Sequence, residues 1–195
     1  MRRRKSKGLT FYQKKKRINS STMREALSYV FITLAAVVVA FVLIYCVGMR
    51  TSVIGVAMQP TLSNGQQILV NRLLYRVVAP KSGDVVVFLP NGNTNAHYYV
   101  KRVVAVPGDD VQIKDGAVYV NGLKYKDYPF DKIQNAGIAD ELLTMQQDEF
   151  FVMGDNVNNS EDSRADNIGP VKRKDIYGKV WFHLGDGTRK MGLME

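Results

Sequence analysis

The chain has 195 residues, with 27 Lys plus Arg against 18 Asp plus Glu and a formal charge of +9. Residues 1–25 hold ten of the basic side chains and one acid, Glu25, residues 26–48 hold no charge, and residues 49–195 balance 17 basic against 17 acidic groups. A basic globular domain of the kind that binds nucleic acid is thereby excluded. One cysteine, Cys46, excludes an intrachain disulfide framework and a cysteine-rich metal site.

Residues 1–25 read as a basic arm. Residues 26–48 are 23 uncharged, mostly apolar residues. As a helix they span about 34 Å at ~1.5 Å per residue, enough for a hydrocarbon core of roughly 30 Å. The apolar region of a cleaved signal peptide is shorter, about 7–15 residues, so the segment reads as an uncleaved signal-anchor in the lipid bilayer. The positive-inside rule then keeps the arm cytoplasmic and places residues 49–195 outside, as a single-pass protein of the cell membrane. The arm also suits an anionic lipid or RNA, but topology alone explains it, and no nucleic-acid partner is expected. Cys46 follows Tyr45, where lipoprotein processing needs a small residue, and reads as an apolar thiol within the span.

The 147 residues after the span suffice for one domain. Short runs rich in Val, Ile, Tyr and Phe occur at 67–71, 84–88, 98–106, 111–113, 117–120, 149–153 and 176–184. Asp115-Gly116 between two such runs signals a tight hairpin, and Asn121-Gly122 marks another turn. Imperfect alternation in Val118, Tyr119 and Val120 suits strands covered on both faces. No βαβ rhythm or repeat is present, so residues 49–195 are expected to be a mainly β domain with closed or packed sheets. Residues 123–148 are polar and lack a sustained strand run. They read as an insertion or loop, with one helical turn near 139–143.

Inventory removes several chemistries. His97 and His183 are the only histidines, and no HExxH, GxSxG or GxxxxGK[ST] occurs. No metal or cofactor is expected. Both histidines read as ordinary strand residues, and Asp109-Asp110 as a turn with capping carboxylates. Three stretches remain unusual. Gly55-Val56-Ala57-Met58-Gln59-Pro60-Thr61-Leu62 follows soon after the span. Lys101 lies inside the apolar run at 98–106, where it either faces a core, with its charged form disfavoured, or points outward from a sheet edge. Residues 153–164 are a polar run, Met-Gly-Asp-Asn-Val-Asn-Asn-Ser-Glu-Asp-Ser-Arg, which composition alone reads as a hydrogen-bonded loop.

In this order behind a signal-anchor, the three stretches resemble those of the type I signal peptidases, peptidase family S26, and most closely the small Gram-positive enzymes. The likeness runs from the anchor to about residue 184. It implies an all-β catalytic domain and a Ser–Lys endopeptidase that removes signal peptides from exported precursors, working beside the secretion translocon. In this sequence the nucleophile position, ahead of Met58, Pro60 and Thr61, is occupied by Ala57. The general base falls on Lys101, Ser160 on the residue that orients it, and Asp162 and Arg164 on residues that brace the site. Val53, Met58 and Val100 match substrate-pocket positions. Val157 stands where the family usually has Arg, at the expected edge of the loop, and Gly55 offers no hydroxyl to an oxyanion hole. Ala57 has no hydroxyl, and Ser52 and Ser63 lie too far along the chain to align with Lys101. Two readings follow: a Ser→Ala form of a true peptidase, inactive but substrate-binding, or a natural non-catalytic homologue serving as a binding or assembly factor at an export or pilus-assembly site.

Overall fold

The computed structural model describes residues 20–47, 49–127, 130–187 and 190–194. Residues 1–19 of the basic arm, Gly48 and the side chain of Cys46 lie outside them. Helix α1 (Ser20–Val47) has 28 residues, is long and apolar enough to cross a membrane, and has its described side chains exposed all round. It starts before the uncharged stretch because Ser20 to Glu25 contain no Pro or Gly to stop a helix. Its 28 residues measure about 42 Å at ~1.5 Å each.

A second compact unit, Val42–Glu195, carries the β structure. In chain order it contains β1 (Met49–Ser52), β2 (Gln67–Asn71), the short α2 (Leu74–Val77), β3 (Val85–Phe88), β4 (Tyr99–Ala105), β5 (Asp110–Lys114) and β6 (Ala117–Val120). There follow β7 (Leu123–Lys124), β8 (Leu143–Thr144), β9 (Glu149–Met153), β10 (Val171–Lys172), β11 (Ile176–His183) and β12 (Gly192–Leu193). Among the described residues one sheet runs β1-β2-β11-β3-β4-β9-β10, with β12 on β11, and a smaller one runs β7-β6-β5-β8. The pairs are antiparallel.

Residues with φ > 0 set the turns. Asp115 and Gly116 (φ 53° and 76°) join β5 to β6, and Asn121 and Gly122 (φ 52° and 74°) join β6 to β7. Successive positive φ angles match the right-handed twist of the flanking strands. β3 is buried at every residue, and β4 at every residue after Tyr99. Both faces are covered because β4 feeds three apolar clusters: Val104 and Ala105 pack with the smaller sheet, Val100 with Val53 and Met58, and Val103 with Phe150 and Val152.

The stretch 123–148 is less loop-like than its polarity predicts. β7 and β8 add to the edges of the smaller sheet, a 3₁₀ turn spans Gly137–Asp140, and Ile133, Ala139 and Met145 are buried in the core. These three residues are too widely spaced to show a period, yet each is an anchor, whereas Leu123 and Leu142 of the same stretch are exposed.

Candidate active site

Two loops and one strand converge at a cavity of about 430 Å³ whose walls include Val53, Ala57, Met58, Val100 and Lys101. Residues 53–62 form the first loop. Met58 and Leu62 are buried, and Leu62 N–H donates to Met58 O at 2.8 Å. Gly55 adopts φ +87°, which suits glycine, and its N–H donates to Asn64 Oδ1 at 2.9 Å. Ala57 is half-buried at the cavity wall, and its carbonyl accepts the N–H of Asn156 at 3.0 Å. Asn156 belongs to the second loop, 154–164, so the two loops are clamped at the residue in question.

Lys101 is supplied by β4, which lies between β3 and β9 with Lys101 opposite Val86. An interior strand has no open edge, and the lysine is only 4% exposed. The outward-pointing alternative is thereby excluded. Lys101 Nζ donates to Ser160 Oγ at 3.0 Å, and Ser160 Oγ donates to Asp162 Oδ2 at 2.7 Å. Burial lowers the Lys101 pKa from 10.5 to about 8, with Asp162 pulling the other way and Arg164 adding to the fall. Desolvation wins because Ser160 stands between the ammonium and the carboxylate.

Asp162 is itself buried, and every one of its contacts holds the 154–164 loop in place. It accepts from Gly154 N–H at 3.0 Å and from Arg164 Nε and Nη2 at 2.8 and 2.9 Å. Arg164 also donates to the carbonyls of Asn135 and Val157. A second buried pair ties the loops to the strand: Arg102 Nε and Nη2 reach Asp155 at 2.8 Å each, and Thr61 Oγ1 donates to the same carboxylate. Among the described residues no buried side-chain nitrogen or oxygen lacks a hydrogen-bond partner. Gly154 has no room for a side chain, since a Cβ there would stand 2.2 Å from Ser160 Oγ and 2.5 Å from Ala57 O.

The fold thus brings Ala57, Lys101, Val53, Met58 and Val100 to one cavity, with Ser160 joined to it through Lys101. Asp162 and Arg164 lie behind Ser160. Among the described residues no group of His, Cys, Asp and Glu has metal-binding spacing.

A sequence profile of the family described as signal peptidase, peptidase S26, matches residues 26–184. The chain belongs to this signal peptidase family. Signal peptidase I P of Bacillus subtilis subsp. natto is 34% identical over 157 residues, covering 73% of this chain and 82% of its own. Signal peptidase IB of Staphylococcus aureus is 35% identical over 171 residues, covering 76% of this chain and 86% of its own. A crystal structure of a signal peptidase I from Enterococcus faecalis aligns at TM-score 0.40 and 25% identity, over 53% of this chain and 97% of that one.

Two expectations for this signal peptidase family member need correction. His97 precedes β4 and is an exposed residue on the rim of the cavity; the only strand histidine is His183, which meets Gln66 Nε2 at 3.2 Å. Val157 is not at the edge of the loop. It is 2% exposed and packs with Val104 and Phe151 in the core. The valine therefore fills a site where a charge would need a partner. Sequence reasoning also missed Arg102 and Glu161. The signal for Arg102 was present, because a guanidinium buried within an apolar strand requires a paired carboxylate. Glu161, whose carboxylate accepts from Tyr99 Oη at 3.0 Å and Asn167 Nδ2 at 2.8 Å, lines the cavity and carried no comparable signal.

Proposed function

We propose that the chain is the hydroxyl-deleted form of a Ser–Lys signal peptidase I, which binds signal peptides and does not cut them. The observation that carries this reading is a desolvated Lys101, hydrogen-bonded through Ser160 to Asp162, that opens on the same cavity as Ala57. With serine at 57, neutral Lys101 would take the hydroxyl proton as the oxygen attacks the scissile carbonyl carbon. The carbon–nitrogen bond would break with that proton passing to the leaving amine, and Lys101 would then activate water to release the acyl group. The backbone N–H of residue 57 would help hold the oxyanion, without a hydroxyl from position 55. Ala57 has no oxygen to attack with, so the first step has no nucleophile.

Ser160 orients the lysine in this reading, and Asp162 and Arg164 brace it. Val53, Met58 and Val100 line the pockets and favour precursors with small residues at the first and third positions before the cut. Residues 1–25 form a cytoplasmic arm, 26–48 a signal-anchor in the bilayer, and 49–195 an extracytoplasmic domain held where signal peptides leave the translocon. Tethering there raises the local substrate concentration without new contacts. Retention of the whole lysine network supports a peptidase that has lost its hydroxyl over a homologue built only to assemble other proteins, which has no use for a desolvated base.

A signal peptide carrying a photoreactive group at the first position before the cut is expected to crosslink near Met58 or Val100 in the full chain and to remain intact. Failure to crosslink with folded protein in detergent would contradict substrate binding.

A further inference from the structure

A second cavity, of about 690 Å³, shares no wall with the candidate active site. It is large enough for a ligand headgroup. Arg72, Arg76, Arg173 and Lys174 line it, against Asp148 and Asp175. Residues 49–195 are neutral as a whole, so this local excess of two positive charges is not a general property of the surface. Among the described residues no ion pair joins any of these six side chains. Arg173 is held in place from the side, since its Nη2 donates to the carbonyls of Tyr75 at 3.1 Å and Val78 at 3.3 Å.

The position of Arg72 says which anion belongs there. Its guanidinium carbon is 4.5 Å from the ring centroid of Tyr177 and 5.3 Å from that of Tyr45, all within the unit Val42–Glu195. Stacking engages the guanidinium face and leaves its N–H edge for an oxyanion. Tyr45 lies three residues before the end of the uncharged stretch 26–48, in the last turn of α1, and a tyrosine in the last turn of a span sits at headgroup depth. Beside Arg72 and Arg76, the apolar side chains of Leu73, Val77 and Val78 are unburied, Val77 at 85%. Basic and apolar residues mixed along one short segment suit the boundary between headgroups and acyl chains.

We infer that this cleft binds the phosphate headgroup of an anionic phospholipid in the leaflet next to Tyr45. The inference rests on the membrane-spanning reading of α1 and is independent of any peptidase chemistry. Arg72 and Arg173 are the fixed donors, Arg76 and Lys174 supply exposed charge, and Leu73, Val77 and Val78 meet the upper acyl chains.

The test uses the full chain in neutral detergent, mixed with equal phosphatidylglycerol and phosphatidylcholine, with retained lipid read by native mass spectrometry. Selective retention of phosphatidylglycerol is expected. Arg76→Gln/Lys174→Gln, which alters only exposed side chains, should reduce that selectivity roughly 25-fold, about fivefold for each charge removed. Asp148→Asn should raise it about fivefold, a gain that a misfolded variant cannot produce. Equal retention of the two lipids by the native chain would overturn the proposal. Unchanged selectivity in the double variant would also overturn it, by assigning the preference to the basic arm. Displacement by millimolar inorganic phosphate as effective as by lipid would make this a free-anion site and overturn it too. A chain that fails to enter vesicles of either lipid refutes the membrane reading itself, whereas one that enters both without selectivity refutes only the cleft.

Discussion

Lys101→Met is expected to stabilise the fold at neutral pH, by an amount that disappears in alkali. The lysine is 4% exposed, and burial takes its pKa from 10.5 to about 8 against the pull of Asp162. A tenfold change in proton affinity is about 1.4 kcal/mol, so keeping the ammonium in the fold costs about 3 kcal/mol below pH 8, where it is protonated in both states. Between pH 8 and 10.5 the unfolded chain binds the proton more tightly than the folded one, so native stability rises through that window and the cost is gone above it. Methionine forgoes the hydrogen bond to Ser160 Oγ, a net loss of about 1 kcal/mol, while Ser160 keeps its bond to Asp162. A gain of about 2 kcal/mol at pH 7 remains by these magnitudes. Urea unfolding of the full chain in neutral detergent, followed by the fluorescence of the single tryptophan, Trp181, measures it across pH. An unchanged or lower midpoint for the variant at pH 7, or a gap that persists above pH 10.5, refutes the desolvation reasoning.

Gly154→Ala should lower the unfolding midpoint by an amount equivalent to about 1–3 kcal/mol or more, because the added methyl meets Ser160 and the Ala57 carbonyl at the junction of both loops. Arg102→Met should cost about 3–5 kcal/mol by leaving the Asp155 carboxylate buried without its cation, and adding Asp155→Leu should recover much of that loss. Both are read from urea midpoints, and an Arg102→Met variant as stable as the native chain would show the pair to be dispensable.

Much of this fold is written locally. The apolar span, the two turns with paired positive φ angles and the strands 67–71, 117–120 and 149–153 follow from residue type and spacing, and occur at those positions. Strands β1, β10 and β12 carry no apolar run of their own and exist through hydrogen bonds to a longer neighbour, which is a tertiary effect that propensity does not contain. The candidate site divides in the same way. A motif places Ala57 and Lys101 in the chain, but whether Lys101 faces solvent or core depends on β4 being interior, which only the sheet order decides. Val157 illustrates the opposite error, since a loop position in sequence is a core position once the 3₁₀ turn Val157–Asn159 folds against Val104 and Phe151. Glu161 enters the cavity wall through Tyr99 and Asn167, partners 62 and 6 residues away.

Cleavage of a purified precursor with Ala at the first and third positions before the cut, by the Ala57→Ser chain and the unaltered chain side by side, is the most direct measurement. Loss of a nucleophile that acts with its base costs on the order of 10⁶ in turnover in serine hydrolases. The serine variant is therefore expected to cut at the signal-peptide junction, the unaltered chain to leave the precursor whole, and Ala57→Ser/Lys101→Met to fall silent again. A folded, lipid-supplied Ala57→Ser chain that binds the precursor and leaves it uncut would contradict the Ser–Lys reading of the cavity.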